Sequence, residues 1–248
     1  MRLNKKLYDL FANQAEKVTI EILSLGLGYT AAVTSDGGIG LAYTYFDNKK
    51  ACMILNKYVD YESRPAAELL EKIKGNNTIE RSMALALVNA LNHHRALSFP
   101  QDRHNRTLFE EFQIGAGTRI AMVGYFGPLV KMFEEKKATV QILDASRRLG
   151  DENTFYDKLG GWAEVLFLTS TSILNNTTEA ILSHVHPKVK TVMLGPSTPM
   201  VAEAFAHLPV HMLAGTVPID KENLLKGVRH GMGTPVLQKF GRKSFIRL

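Results

Sequence analysis

Of the 248 residues only Cys52 is a cysteine and only Trp162 a tryptophan. A lone thiol excludes an internal disulfide and any zinc cluster built from cysteines alone, and a reducing compartment is the expected setting. No run approaches the ~18 successive apolar residues of a membrane-crossing helix, and the first residues lack the short apolar core of a signal peptide. The cytoplasm is the expected location, with no membrane partner. Concentrated positive charge is missing as well. The formal charge is +6, but Lys and Arg are scattered, in pairs such as Lys5-Lys6, Lys49-Lys50, Lys136-Lys137 and Arg147-Arg148, with no basic stripe interleaved with aromatics. A nucleic-acid partner, drawn to such a stripe by counterion release, is not expected. What is present, 45% hydrophobic and 22% charged residues, sets disorder aside and allows one large domain or two modest ones.

Two parts of the chain read differently. Short β-rich runs at Val18 to Thr34, Gly38 to Phe46 and Ala51 to Leu55 are separated by turn residues at 35–38 and 47–48, which predicts an antiparallel meander. Helices are expected from Lys5 to Glu16, after Pro65, and from Thr78 through Asn92. The polar stretch Ser98 to Gln113 reads as a connector. Beyond it, runs of about six apolar residues alternate with amphipathic segments: "RIAMVGY", "ATVQILD", "AEVLFLT", "KTVMLG" and "VHMLAG". That alternation is the signature of a parallel sheet covered on both faces. The expected fold class is α/β, a small α+β domain over residues 1–98, a connector at 99–113 and a Rossmann-like domain of about five strands over 114–248.

Ligands of open parallel sheets bind beyond the carboxyl ends of the strands, where strand order reverses. The first such end, Val123 to Val130, holds Gly124, Tyr125, Phe126, Gly127 and Pro128. It is not G-x-G-x-x-G, and Pro128 removes one amide a pyrophosphate would use; a plain helix start competes with a ligand turn. Asp144 ends the second strand, where a carboxylate commonly accepts from a ribose-like diol, or is a solvated loop acid. At the third end, "TSTSILNNTT", Asn176 and Glu179 have the spacing of a cap, which leaves Thr169, Thr171 and Asn175 as candidate ligand contacts. At the fourth, Gly195, Pro196, Ser197 and Thr198 make either a rigid turn or a small-anion site. A strand order of 2-1-3-4-5 would set Tyr125 and Phe126 across a crevice from Thr169 and Thr171; an order of 3-2-1-4-5 would bring Ser197 to Gly124. His93-His94 and His184/His186 lie at helix ends and, by spacing, neither pair is a ready chelate.

Taken together, "GYTAAVTSDGGIGLAYT", "IERSMALALVNAL", "AMVGYFGPLV", "FLTSTSILNNTTEAIL" and "MLGPSTPM" resemble, in order and across nearly the whole chain, the heavy-metal chelation families, domain-of-unknown-function families 364 and 4213. The resemblance implies an enolase N-terminal-like domain followed by a Rossmann-like one, with a site between them. It carries over the strand-end residues just named, adds Thr177 as a ligand contact and, from the first domain, Glu80 and Asn89. Asn89, inside "ALALVNAL", must find a partner if buried. Glycine is expected at position 176, where this chain has Asn.

The leading expectation is a small polar or anionic metabolite, of chelator, pterin, flavin or siderophore kind, bound in the interdomain crevice. Any condensation or hydrolysis there would fall to Glu80 or Asp144. A non-catalytic metal or metal-chelate binder and a methyltransferase-like domain holding S-adenosylmethionine are the alternatives. The residues leave the cofactor and a homo-oligomeric state open.

Overall fold

The computed structural model describes residues 2–46 and 59–248; the strand expected at Ala51 to Leu55, and Cys52 with it, lie outside them. Helix α1 (Arg2–Ala15) buries Leu3, Leu7, Phe11 and Ala15, the i, i+4 stripe of an amphipathic helix. Strands β1 (Ile20–Leu25), β2 (Tyr29–Thr34) and β3 (Ile39–Tyr43) follow as an antiparallel sheet in sequence order. Small residues explain why β2 is buried throughout: Ala32 joins the cluster formed with α3 (Thr78–Leu91), while Ala31 and Val33 join Leu224, Leu225 and Val228 on the opposite face. Helix α3 lies so close that a Cβ at Gly40 would come within 1.9 Å of the Ala86 carbonyl oxygen. Asn77 starts this helix, its side chain accepting from the amides of Ile79 and Glu80 at 2.9 and 3.1 Å, one of the strongest local signals for a helix start. A short helix, α2 (Ala66–Leu70), precedes α3, and α4 (His93–Ala96) follows it.

The stretch expected to be a polar connector carries α5 (Arg106–Glu111). Its Leu108 and Phe109, with Phe112, are buried against Phe133 and Phe167. Then come β4 (Arg119–Val123), α6 (Gly127–Glu135), β5 (Thr139–Leu143), α7 (Glu152–Gly161), β6 (Val165–Thr169), α8 (Thr178–Leu182), β7 (Lys190–Leu194), α9 (Ala202–Phe205), β8 (Met212–Pro218), α10 (Lys221–Arg229), α11 (Thr234–Leu237) and β9 (Gly241–Arg247). The sheet order is β5-β4-β6-β7-β8-β9, the first five parallel and β9 antiparallel to β8. The fold is α/β, with a small antiparallel sheet and a larger, mostly parallel one. Of the two expected strand orders, 2-1-3-4-5 is the one found. The link between β5 and β6 contains α7, and the sheet has a sixth strand, β9, beyond the about five expected.

One continuous apolar cluster joins α1, α3 and β3 to residues of β4, β6, β7 and β8. No helix among the described residues is long and apolar enough to cross a membrane.

Candidate functional site

The chain runs from β4 out to β5, then returns to the other side of β4 to form β6. That reversal leaves a crevice at the carboxyl ends of β4 and β6, and a cleft of about 730 Å³ opens there. One residue per strand forms its floor: Gly124 after β4, then Thr169, Leu194 and Ala214, which are paired in register across β6, β7 and β8. Gly124 has φ +84°, and a Cβ there would lie 3.0 Å from Thr169 Cβ, so both the turn and the close approach require glycine.

The antiparallel sheet contributes a wall of tyrosines to the same cleft. Tyr29 and Tyr43 are cross-strand partners and Tyr45 lies two residues further on. Their rings meet edge to face at 5.8 and 6.4 Å, the arrangement aromatic quadrupoles favour. Burial raises the Tyr29 phenol above its ordinary value, against the lowering effect of the Thr234 hydroxyl, which keeps it neutral and able to donate. Sequence reasoning missed this wall. The signal for it was the period-2 spacing of Tyr43 and Tyr45, which puts both on one face of a strand.

The hydroxyl and amide residues after β6 divide into two groups. Thr169 Oγ1 lies 3.0 Å from Thr171 Oγ1 and accepts from the Thr171 amide at 3.3 Å; both side chains line the cleft. Asn175 donates from Nδ2 to the Tyr45 hydroxyl at 3.2 Å and accepts at Oδ1 from the Thr177 hydroxyl at 2.7 Å. It ties the strand-end loop to the tyrosine wall. The cap expected from Asn176 and Glu179 is not formed: α8 begins after Thr177 with no side-chain cap. Asn176 has φ +62° and its Oδ1 accepts from Asn4 at 3.0 Å, while a Glu179 oxygen accepts from the Leu3 amide at 3.0 Å. The left-handed backbone explains why glycine is expected at 176, and Asn is the residue that best tolerates it otherwise.

Tyr125, Phe126, Gly127 and Pro128 line the cleft, as do Gly195, Pro196 and Ser197. Ser197 is buried, and its Oγ accepts from the Tyr43 amide at 2.7 Å; Thr198 is buried beside it and does not line the cleft. The next helix, α9, starts only at Ala202 and is four residues long. Asn89 does not line the cleft either. Its Nδ2 donates to the carbonyls of Leu41 and Ser197 at 2.9 and 3.3 Å, a structural amide holding β3 to the loop after β7.

The two nominated carboxylates are not brought together. Glu80 is outside the cleft lining, on the first turn of α3, 3.3 Å from Lys72 Nζ. Asp144 does line the cleft, but Oδ1 accepts from the Ser146 hydroxyl (2.6 Å) and the Arg147 amide (3.1 Å), and Oδ2 from the Tyr125 amide (2.9 Å) and Arg147 Nη1 (3.2 Å). A carboxylate has about four acceptor positions, and local partners take them all. Burial alone would raise this group; the Ser146 hydroxyl, the two amides and the Arg147 charge outweigh it and hold it below its ordinary value. Such a carboxylate is a weak base and organises the β4 and β5 loops. The Arg147 guanidinium also lies 5.2 Å from the centre of the Tyr125 ring.

A family model described as "Putative heavy-metal chelation", domain-of-unknown-function family 364, matches residues 107–247. The chain belongs to this heavy-metal chelation family. A second model of the same description, domain-of-unknown-function family 4213, matches residues 8–92. Two crystal structures of family-364 proteins of unknown function are similar over their full length. One, from Pyrococcus horikoshii, is 22% identical with a TM-score of 0.82, covering 100% of each chain. The other, from Desulfitobacterium hafniense DCB-2, is 19% identical with a TM-score of 0.78, covering 99% of this chain and 98% of that one. At these identities the likeness concerns the fold. No curated protein matches the chain.

The family description raises the question of a protein-built metal centre. Among the described residues no three of His, Cys, Asp and Glu come together. The described cleft lining contains neither imidazole nor thiolate, the ligands that soft heavy metals favour. In this heavy-metal chelation family member the described residues do not fit a heavy metal held by side chains alone. The histidines serve elsewhere: His93 Nε2 is 2.8 Å from the Pro218 carbonyl, and His184 stacks on Tyr156 at 4.3 Å.

Proposed function

We propose that the cleft binds a small planar metabolite of the chelating kind, free or as its metal complex, recognised by its ring faces and polar edges. The observation that carries this reading is that the tyrosine wall and the Thr169 and Thr171 hydroxyls line one cleft at the topological switch point. Aromatic faces accept a flat ring, and the neighbouring hydroxyls satisfy heteroatoms at its rim. The volume suits a ligand of coenzyme-fragment size. A metal would arrive with the ligand's own donors, which accords with the family description and with the donor set in the cleft.

Binding is better supported than acid–base catalysis. Asp144 is fully engaged and held in its ionised form, and Glu80 is paired with Lys72 elsewhere. The same engagement of Asp144 disfavours an S-adenosylmethionine site, because no acceptor remains for ribose hydroxyls. The test is native mass spectrometry of freshly purified protein with parallel metal analysis. An organic ligand retained by the wild type and lost on Thr171→Val supports the reading. Stoichiometric metal without any organic ligand, unchanged by Thr171→Val, overturns it.

A further inference from the structure

The last β7–β8 pair is Leu194 with Ala214, but β8 continues to Pro218, paired all the way with β9. Thr216 and its cross-strand partner Lys243 therefore rise past the ends of the parallel strands and close one end of the cleft. Lys243 is half-buried there, and among the described residues Nζ has neither an ion pair nor a hydrogen bond. Arg147, the other cation lining the cleft, is already paired with Asp144 and laid over Tyr125. Asp102 touches Lys243 through the backbone, its amide donating to the Lys243 carbonyl at 3.1 Å, yet its carboxylate accepts from the Leu108 amide at 2.9 Å. An ammonium that lines a cleft without a counter-ion is available to pair with an incoming anion.

We infer that Lys243 is the anion anchor of the cleft: the ligand presents a carboxylate or a phosphate to Nζ at the β8–β9 end while its ring lies toward the tyrosines. This rests on the planar-ligand reading above and narrows it to oxyanion-bearing rings. A lysine, as a compact point charge on a flexible stem, makes a single strong contact to either group without demanding the fixed fork geometry of arginine. Phe245, two residues on along β9, lines the same cleft and supplies an apolar surface beside the charge.

The experiment is titration calorimetry on the full chain with pyridine-2,6-dicarboxylate, its uncharged diamide and phenyl phosphate, using wild type, Lys243→Met, Lys243→Arg and the exposed control Lys239→Met. Thermal unfolding first confirms that each variant is folded. The wild type and Lys239→Met are expected to bind the acidic probes at least tenfold more tightly than the diamide. Lys243→Met loses that preference and Lys243→Arg keeps most of it. Which acid binds better separates a carboxylate from a phosphate ligand. Acidic probes that bind Lys243→Met as they bind the wild type overturn the anchor. If the diamide still binds and is weakened by Thr171→Val, the ring site survives that failure. Conversely, if no ring compound binds but inorganic phosphate shields Lys243 from amine acetylation, the anchor stands and the ring reading falls. No Lys243-dependent binding of any acid, inorganic phosphate included, sinks the anchor.

Discussion

Replacing Asp144 with asparagine separates a ligand-contacting carboxylate from one that organises the cleft. The side chain presents each oxygen to two donors, and each pair includes one backbone amide, that of Arg147 or that of Tyr125. Whichever way an asparagine amide turns, its NH₂ faces one of those N–H groups. One buried donor is left unsatisfied, at roughly 1–3 kcal/mol, and the surviving contacts lose their charge assistance, about 1 kcal/mol more. Asp144→Asn should thus cost about 2–4 kcal/mol, or roughly 5–15 °C in Tm for a chain of this size. The pH dependence has a definite sign. Because the folded-state pKa lies below the ordinary value, the stabilisation is complete above the unfolded value of about 3.9 and is lost as pH falls through the lower folded one. Urea unfolding of wild type and variant from pH 7 to pH 3 should therefore show a gap that narrows below about pH 4. A variant as stable as wild type at pH 7, yet unable to retain ligand, would refute the organising role and restore Asp144 as a direct ligand contact.

Gly40→Ala places a methyl 1.9 Å from the Ala86 carbonyl oxygen and 2.3 Å from the Ala90 nitrogen. Both are backbone atoms of α3, so relief requires moving the helix; we expect loss of at least about 3 kcal/mol in chemical denaturation or failure to accumulate soluble protein. At position 176, glycine and valine both remove the acceptor of the buried Asn4 amide, at roughly 1–3 kcal/mol, and valine, β-branched at positive φ, should cost measurably more; equal midpoints for the two variants would contradict the left-handed backbone. Burial lowers the His93 pKa, with the Pro218 carbonyl opposing. The neutral imidazole is therefore favoured by folding, its stabilisation is present above about pH 6.5 and declines as pH falls through the lower folded value; His93→Gln should flatten that part of the stability curve.

The alternation of apolar runs and amphipathic helices made the parallel sheet legible, because strands buried on both faces read as unbroken hydrophobic stretches. The elements that escaped notice lack that contrast. In β9, "GRKSFIR", one face carries Lys243 into the cleft, so the strand looks like a basic tail. Helix α7 buries little beyond Phe155 and Leu159 and ends in two glycines, which reads as loop. The strand-end residues were visible because an open parallel sheet concentrates function there. Their partners were not: the tyrosine wall needs the β2–β3 register, and the internal use of Asp144, Asn89 and Ser197 needs the tertiary contacts. Asn176 shows the converse. Its residue type suggested a cap, and the actual cause was a backbone conformation that spacing cannot reveal.

The antiparallel strand β9 is made after every strand of the sheet it completes. During synthesis, β8 must wait with one edge unpaired, and an unpaired edge is a template for unwanted strand addition. When β9 docks it pairs that edge of β8 and adds Lys243, Ser244 and Phe245 to the cleft lining. A chain stalled before β9 would leave that edge unpaired and exposed to aggregation, and would lack the part of the cleft lining that Lys243 and Phe245 provide.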